Sequence, residues 1–207
     1  MLKRLATHCV MTPADVEPRD ARFRVVGTFN PGVATCGDQT VLVVRVVEEV
    51  IEDRKGFVAS PRVDARTGEM DIDWLKADEQ DMTDPRMYVD KYTRIARLRF
   101  ISHLRVFFSN DGHAINDAGP GLESQGPYET YGIEDPRITC IEGRYYMTYV
   151  AVSDRGVCTS LMSTKDFQSF ERHGIMLPPD NKDVVLFHEK LDGLYVMMHR
   201  PMISMRF

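Results

Sequence analysis

Residues 131–137 read Tyr-Gly-Ile-Glu-Asp-Pro-Arg. Two carboxylic acids, Glu134 and Asp135, meet a proline and Arg137 at the mouth of a strand. A carboxylic acid can deliver a proton to a leaving group when its surroundings keep it protonated at the working pH. Neighbouring residues on an extended backbone face opposite sides. On that geometry one of the two acids faces a cleft and the other meets the backbone or a cation. Arg137 shares Asp135's side unless Pro136 breaks the extended path. The expectation is a break, with Arg137 turned to Glu134 or the backbone. The plainer alternative is a turn, because Asp-Pro is common turn chemistry and Arg137 then only neutralises it.

Three further clusters carry polar chemistry. Pro178-Pro179-Asp180-Asn181-Lys182-Asp183 precedes a buried-looking strand, and His199-Arg200-Pro201 ends the next one. Surface salt bridges are the ordinary explanation of both. Phe29-Asn30-Pro31-Gly32 forms a turn leading into the first strands, and Arg45 sits inside an otherwise apolar strand. A lone arginine there is costly to bury unless it is paired. An innermost propeller strand would point it into a central channel, where an anionic or hydroxyl-rich ligand fits.

The elements that must position these residues are short strands. The chain shows no long 3.6-residue period with caps; it shows runs of Val, Tyr, Ile and Phe separated by Gly and Asp turns. Residues 40–50 form an apolar β-branched run. Residues 138–141 and 145–152 form a hairpin about Glu142-Gly143, and Asp154-Arg155-Gly156 turns the chain into 157–163. Residues 184–187 and 195–199 form another hairpin about Asp192-Gly193. Gly143 and Gly193 lie 50 residues apart, and Gly37 lies 106 residues before Gly143, about two such periods. A repeat near 50 residues of four short strands fits a propeller blade; hairpins of an ordinary sandwich are the alternative. Residues 54–84 read as a charged excursion between strands. Residues 109–131, rich in Gly and Pro, read as a long loop, and such loops are usually functional or mobile.

Composition sets the outer bounds. The 207 residues suffice for one domain with a sizeable core. A net charge of −5 argues against nucleic acid, since phosphate backbones select basic faces. No apolar run has the length of a membrane span. Residues 1–11 contain Lys3 and Arg4 but no convincing signal-peptide core. Cys9, Cys36, Cys140 and Cys158 lie far apart, so neither a zinc site nor a structural disulfide is expected, and the cytoplasm is the default location.

Taken together, residues 131–139, Tyr145-Tyr146-Met147-Thr148-Tyr149, Asn181-Lys182-Asp183, residues 186–190, His199-Arg200-Pro201 and the Phe29-Asn30-Pro31 approach with Arg45 resemble glycoside hydrolase family 130 in order and spacing. His188 stands where that family usually has proline. The resemblance covers residues 25–201. It implies an all-β, five-bladed β-propeller, of which residues 1–207 hold roughly four blades as a single, incomplete catalytic domain ending without a closing strand. It implies an inverting enzyme acting on β-mannosides. Asp135 matches the family's acid, which protonates the glycosidic oxygen through a sugar hydroxyl. Asn30, Arg45, Lys182, Asp183 and Arg200 match substrate or phosphate subsites and are expected to converge on one central funnel.

Inverting hydrolysis needs a second carboxylate to activate water, whereas phosphorolysis needs cations to hold phosphate. The expected function is a β-1,2-mannosidase-like hydrolase. The alternative is a β-mannoside phosphorylase, with no cofactor beyond inorganic phosphate as co-substrate. The second alternative is a non-catalytic, sugar-binding propeller fragment. An oligosaccharide is the expected partner, nucleic acid and membrane are not, and a homo-oligomer is left open.

Overall fold

A computed structural model of the chain describes residues 6–202. The features assigned to Lys3 and Arg4 and to residues 203–207 lie outside them. Among the described residues the fold is all-β, with two single-turn 3₁₀ segments and no α-helix. Strands β1 (Phe23–Cys36) and β2 (Gln39–Val50) form a hairpin about Gly37. The chain then leaves that sheet. It builds one ribbon from β3 (Phe57–Val63) and β4 (Met70–Lys76), and another from β5 (Gln80–Asp81), β6 (Met87–Asp90) and β7 (Ala96–Leu98). Strand β8 (Ile101–Ser109) returns to β2, and β9 (Asp117–Leu122) completes the antiparallel sheet β1-β2-β8-β9.

The second sheet is a meander of β10 (Ile133–Ile141), β11 (Arg144–Ser153), β12 (Gly156–Thr164) and β13 (Glu171–Leu177). Strands β14 (Asn181–Leu186) and β15 (Met197–Pro201) form the last hairpin. The expected hairpins at 138–152 and 184–199 are present.

Three expectations change. The charged stretch 54–84 holds β3, β4 and β5 rather than a loose excursion, and in β4 Ile72 and Trp74 alternate with Asp71 and Asp73 at the strand period. Within 109–131, β9 pairs with β8. Among the described residues there are also fewer four-stranded sheets than the four blades expected. The 106 residues from Gly37 to Gly143 contain one four-stranded sheet interrupted by β3–β7, not two sheets. Among the described residues there are therefore two four-stranded sheets and the β14–β15 hairpin, besides the β3–β4 and β5–β7 ribbons of the insertion.

The two large sheets stack through an apolar core. Val41, Val43, Leu104, Val106 and Phe108 of the first meet Ile133, Met147, Tyr149, Ala151 and Met162 of the second. Each is at most 5% exposed, so burial of roughly 1.5–3 kcal/mol per large side chain drives the stacking. The contact between the second sheet and β14 adds polar bonds to the burial of Val184 and Leu186. Three threonine hydroxyls, one each from β10, β11 and β12, donate to β14 carbonyls: Thr139 to Leu186 (3.2 Å), Thr148 to Val184 (2.6 Å) and Thr159 to Asn181 (3.3 Å). These bonds fix where β14 begins, and hence where Lys182 and Asp183 lie.

Candidate active site

The first strand of each four-stranded sheet and of the last hairpin carries a bulge at the same relative place. The register slips between Phe29 and Gly32 in β1, between Glu134 and Arg137 in β10, and between Lys182 and Val185 in β14. At each slip a short polar residue takes a left-handed backbone: Asn30 (φ 49°), Asp135 (φ 48°) and Asp183 (φ 58°). Asn and Asp are the non-glycine residues that tolerate this conformation best. In β1 and β10 a proline follows, and its missing N–H costs no ladder bond at a bulge. A bulge re-aims side chains, so the site consists of three equivalent kinks brought together by sheet stacking.

At Asp135 the kink overturns the strict alternation expected of an extended strand. Glu134 and Asp135 lie on the same side, and both meet Arg45. Arg45 Nη2 donates to Glu134 Oε1 at 2.7 Å, Nη1 to Asp135 Oδ1 at 3.1 Å, and Nε to Ser102 Oγ at 3.1 Å. Ser102 Oγ in turn donates to Glu134 Oε1 at 3.1 Å. The guanidinium also lies over the Phe29 ring, 5.0 Å from its centroid. Arg45 thus has the partners that an arginine in an apolar strand requires. Asn30 Nδ2 donates to the same Asp135 Oδ1 at 3.0 Å. Among the described residues nothing hydrogen-bonds Asp135 Oδ2. The Glu134 carboxyl is held above its ordinary range, first by burial and then by the Asp135 carboxylate, with Arg45 opposing.

Arg137 does turn away from Asp135, but towards Asp183 (3.2 Å) rather than Glu134 or the backbone. Arg200 takes the other oxygen of Asp183 at 2.7 Å. The six residues singled out in the sequence therefore gather in one region. Arg45, Asp135 and Lys182 line a cleft of about 230 Å³. Asn30, Asp135 and Asp183 line an adjoining recess, which Arg200 reaches through its pair with Asp183.

Sequence reasoning missed Ser102, the cleft-facing role of Glu134, and Arg86, which lines the cleft from the turn before β6 and is forked onto Asp84. A signal existed for the bulges. Asn30-Pro31 and Asp135-Pro136 precede the equivalent turn glycines Gly37 and Gly143 by seven and eight residues. Nothing local marks Arg86. Among the described residues no cluster of three or more His, Cys, Asp or Glu suits a metal ion, the four cysteines are free, and no helix is long and apolar enough to cross a membrane.

A family profile described as β-1,4-mannooligosaccharide phosphorylase matches residues 108–207. The chain is 37% identical over 200 residues to a β-1,2-mannobiose phosphorylase of Listeria innocua, covering 94% of this chain and 56% of that protein. It is 39% identical over 108 residues to a 1,2-β-oligomannan phosphorylase of a Thermoanaerobacter species, covering 49% of this chain and 36% of that one. The solved structure of the Listeria innocua β-1,2-mannobiose phosphorylase with β-1,2-mannobiose superposes with a TM-score of 0.87 at 36% identity, covering 93% of this chain and 56% of that one. The chain thus spans about half the length of the relatives it matches.

Proposed function

The chain belongs to glycoside hydrolase family 130, and we propose that it is the acid-bearing part of an inverting β-mannoside phosphorylase acting on β-1,2-linked mannosides. The observation that carries this is the charge around the cleft. Beside Asp135 stand Arg45, Arg86 and Lys182. Among the described residues no carboxylate lies within ion-pair distance of Lys182. The acids next to Asp135 are engaged by arginines: Glu134 by Arg45, and Asp183 by Arg137 and Arg200. A hydrolase needs a free carboxylate to activate water; a phosphorylase needs surplus cations for its nucleophile. Lys182, the cleft cation with no carboxylate at ion-pair distance among the described residues, and the phosphorylase names of the relatives both favour phosphate, so the hydrolase expectation gives way to its alternative.

In this reading Asn30 and Arg45 hold Oδ1 of Asp135, and Oδ2 carries the proton. A phosphate oxygen attacks the anomeric carbon, the glycosidic C–O bond breaks, and the Asp135 proton passes through a sugar hydroxyl to the departing oxygen. Inversion of a β-mannoside yields α-mannose 1-phosphate and the shortened sugar. The repeated sheets support a single five-bladed propeller domain, to which the described residues contribute two four-stranded sheets and the β14–β15 hairpin. The four free cysteines support a cytoplasmic location. The test is incubation of the protein with β-1,2-mannobiose, with and without inorganic phosphate. Mannose 1-phosphate formed only with phosphate is the expected result. Equal mannose release without phosphate returns the hydrolase, and binding without turnover leaves a sugar-binding module.

A further inference from the structure

Within the proposed reaction Asp135 needs an oxygen free to hold a proton. A guanidinium beside a carboxylate threatens that freedom, because the favoured geometry of the pair is a two-pronged fork that occupies both oxygens. Arg45 does not fork onto Asp135. It places one nitrogen, Nη1, on Oδ1 and commits the other two elsewhere, Nη2 to Glu134 Oε1 and Nε to Ser102 Oγ. Ser102 and Glu134 also bond to each other, so the clamp closes on itself. The clamp sits deep: Ser102 is fully buried, and the Arg45 and Glu134 side chains are 11% and 14% exposed. A planar guanidinium held at two of its three nitrogens has no remaining rotation.

We propose that Glu134 is a positioning residue: with Ser102 it pins the Arg45 guanidinium so that only one edge reaches Asp135, which keeps Oδ2 of Asp135 open to the cleft. Charge gives a second reason for an acid there. Arg45, Arg86 and Lys182 all act on Glu134, so the charge of these cations does not fall on Asp135 alone. The Ser102 position depends on Gly132, which bridges to it in parallel and leaves no room for a side chain.

The test is the crystal structure of Glu134→Ala, read together with kinetics. Expected is Arg45 rotated into a two-pronged pair with both oxygens of Asp135. Turnover should fall at least 10-fold, with KM for phosphate changing less than 3-fold. Glu134→Gln keeps an acceptor oxygen for Nη2 and should restore most of the turnover, which loss of a merely structural carboxylate would not allow. Arg45 unmoved in Glu134→Ala, with Oδ2 still free, overturns the proposal. Where Glu134→Ala does not fold, Ser102→Ala leaves every charge in place. The same rotation of Arg45 supports the proposal there, and an unmoved Arg45 overturns it. The structural readout is independent of turnover. If Arg45 rotates as stated while the protein cleaves no mannoside with or without phosphate, the functional reading falls and the clamp stands.

Discussion

One nitrogen of Arg45 and the amide of Asn30 converge on a single oxygen of Asp135, and the chemistry assigned to this acid rests on the oxygen they leave alone. Asp135→Asn preserves an acceptor at Oδ1 and the size of the side chain, but it cannot deliver a proton. Sugar binding should persist within a few-fold while turnover falls about 10²–10⁴-fold, the usual contribution of a general acid. Substrates with poor leaving groups should suffer most, and near-normal turnover on one of them would remove Asp135 from the mechanism. Arg45 was legible as a residue in need of a partner because an arginine inside an apolar run is costly to bury alone, whereas Asp135 was singled out through the family resemblance, its motif by itself reading as a turn. The sharing of one face by Glu134 and Asp135 was not legible. Strand alternation predicts opposite faces, and only the positive φ at Asp135 reverses it.

The strands supply these residues through a repeated device, a bulge in β1, β10 and β14, held against its neighbour by close backbone contact. Gly132 shows how tight that contact is. Its φ is +111°, and a Cβ there would lie 2.3 Å from the Ser102 carbonyl oxygen. Gly143 also has a positive φ (+76°), but no atom lies within 4 Å of the place its Cβ would take. Both Gly→Ala substitutions should cost roughly 1–3 kcal/mol for backbone strain. Gly132→Ala should exceed Gly143→Ala in thermal unfolding and also reduce turnover, because it displaces Ser102 from Arg45. Equal losses of stability would show that the β8–β10 approach is not constrained. Turn glycines, strand runs and hairpins were readable from local chemistry. The β3–β7 insertion was not, since its charges alternate with apolar residues at a strand period and still read as a polar excursion. Arg86, carried on that insertion, was hidden with it.

Over the whole molecule, the 50-residue spacing of Gly143 and Gly193 revealed the repeat, but extending it back to Gly37 miscounted the sheets. An insertion of about one period's length imitates a missing repeat, and only strand pairing separates the two. The opposite face of the first sheet carries a feature that no spacing announced. The amino-terminal segment is tied to it by Arg19, which pairs with Glu48 at 2.8 Å and also contacts His103 Nδ1. His103 is fully buried on β8, and its Nε2 has no hydrogen-bond partner among the described residues. Burial first, then Arg19 and Arg105, depress its pKa from 6.5 to about 2. The native state therefore holds this ring neutral, whereas the unfolded chain protonates it below about pH 6.5. Its contribution to stability is complete above that value and is lost progressively as pH falls towards 2. At roughly 1.4 kcal/mol per pH unit, lowering the pH from about 6.5 to about 5 should remove about 2 kcal/mol. Glu48 and Glu134 act with the opposite sign, because burial raises both: their contribution is present below the ordinary glutamate value and declines as pH rises through the folded one. Wild-type stability alone thus mixes the three. The difference between wild type and His103→Gln isolates the histidine, since a glutamine side chain does not titrate. Denaturant unfolding of both chains from about pH 5 to about pH 8 should show a constant difference in stability above about pH 6.5. Below it the two curves should converge or cross as the wild type loses its extra term. Parallel curves across the whole range would mean that His103 carries a proton in the folded chain, and would undo the account of how the amino-terminal segment is held.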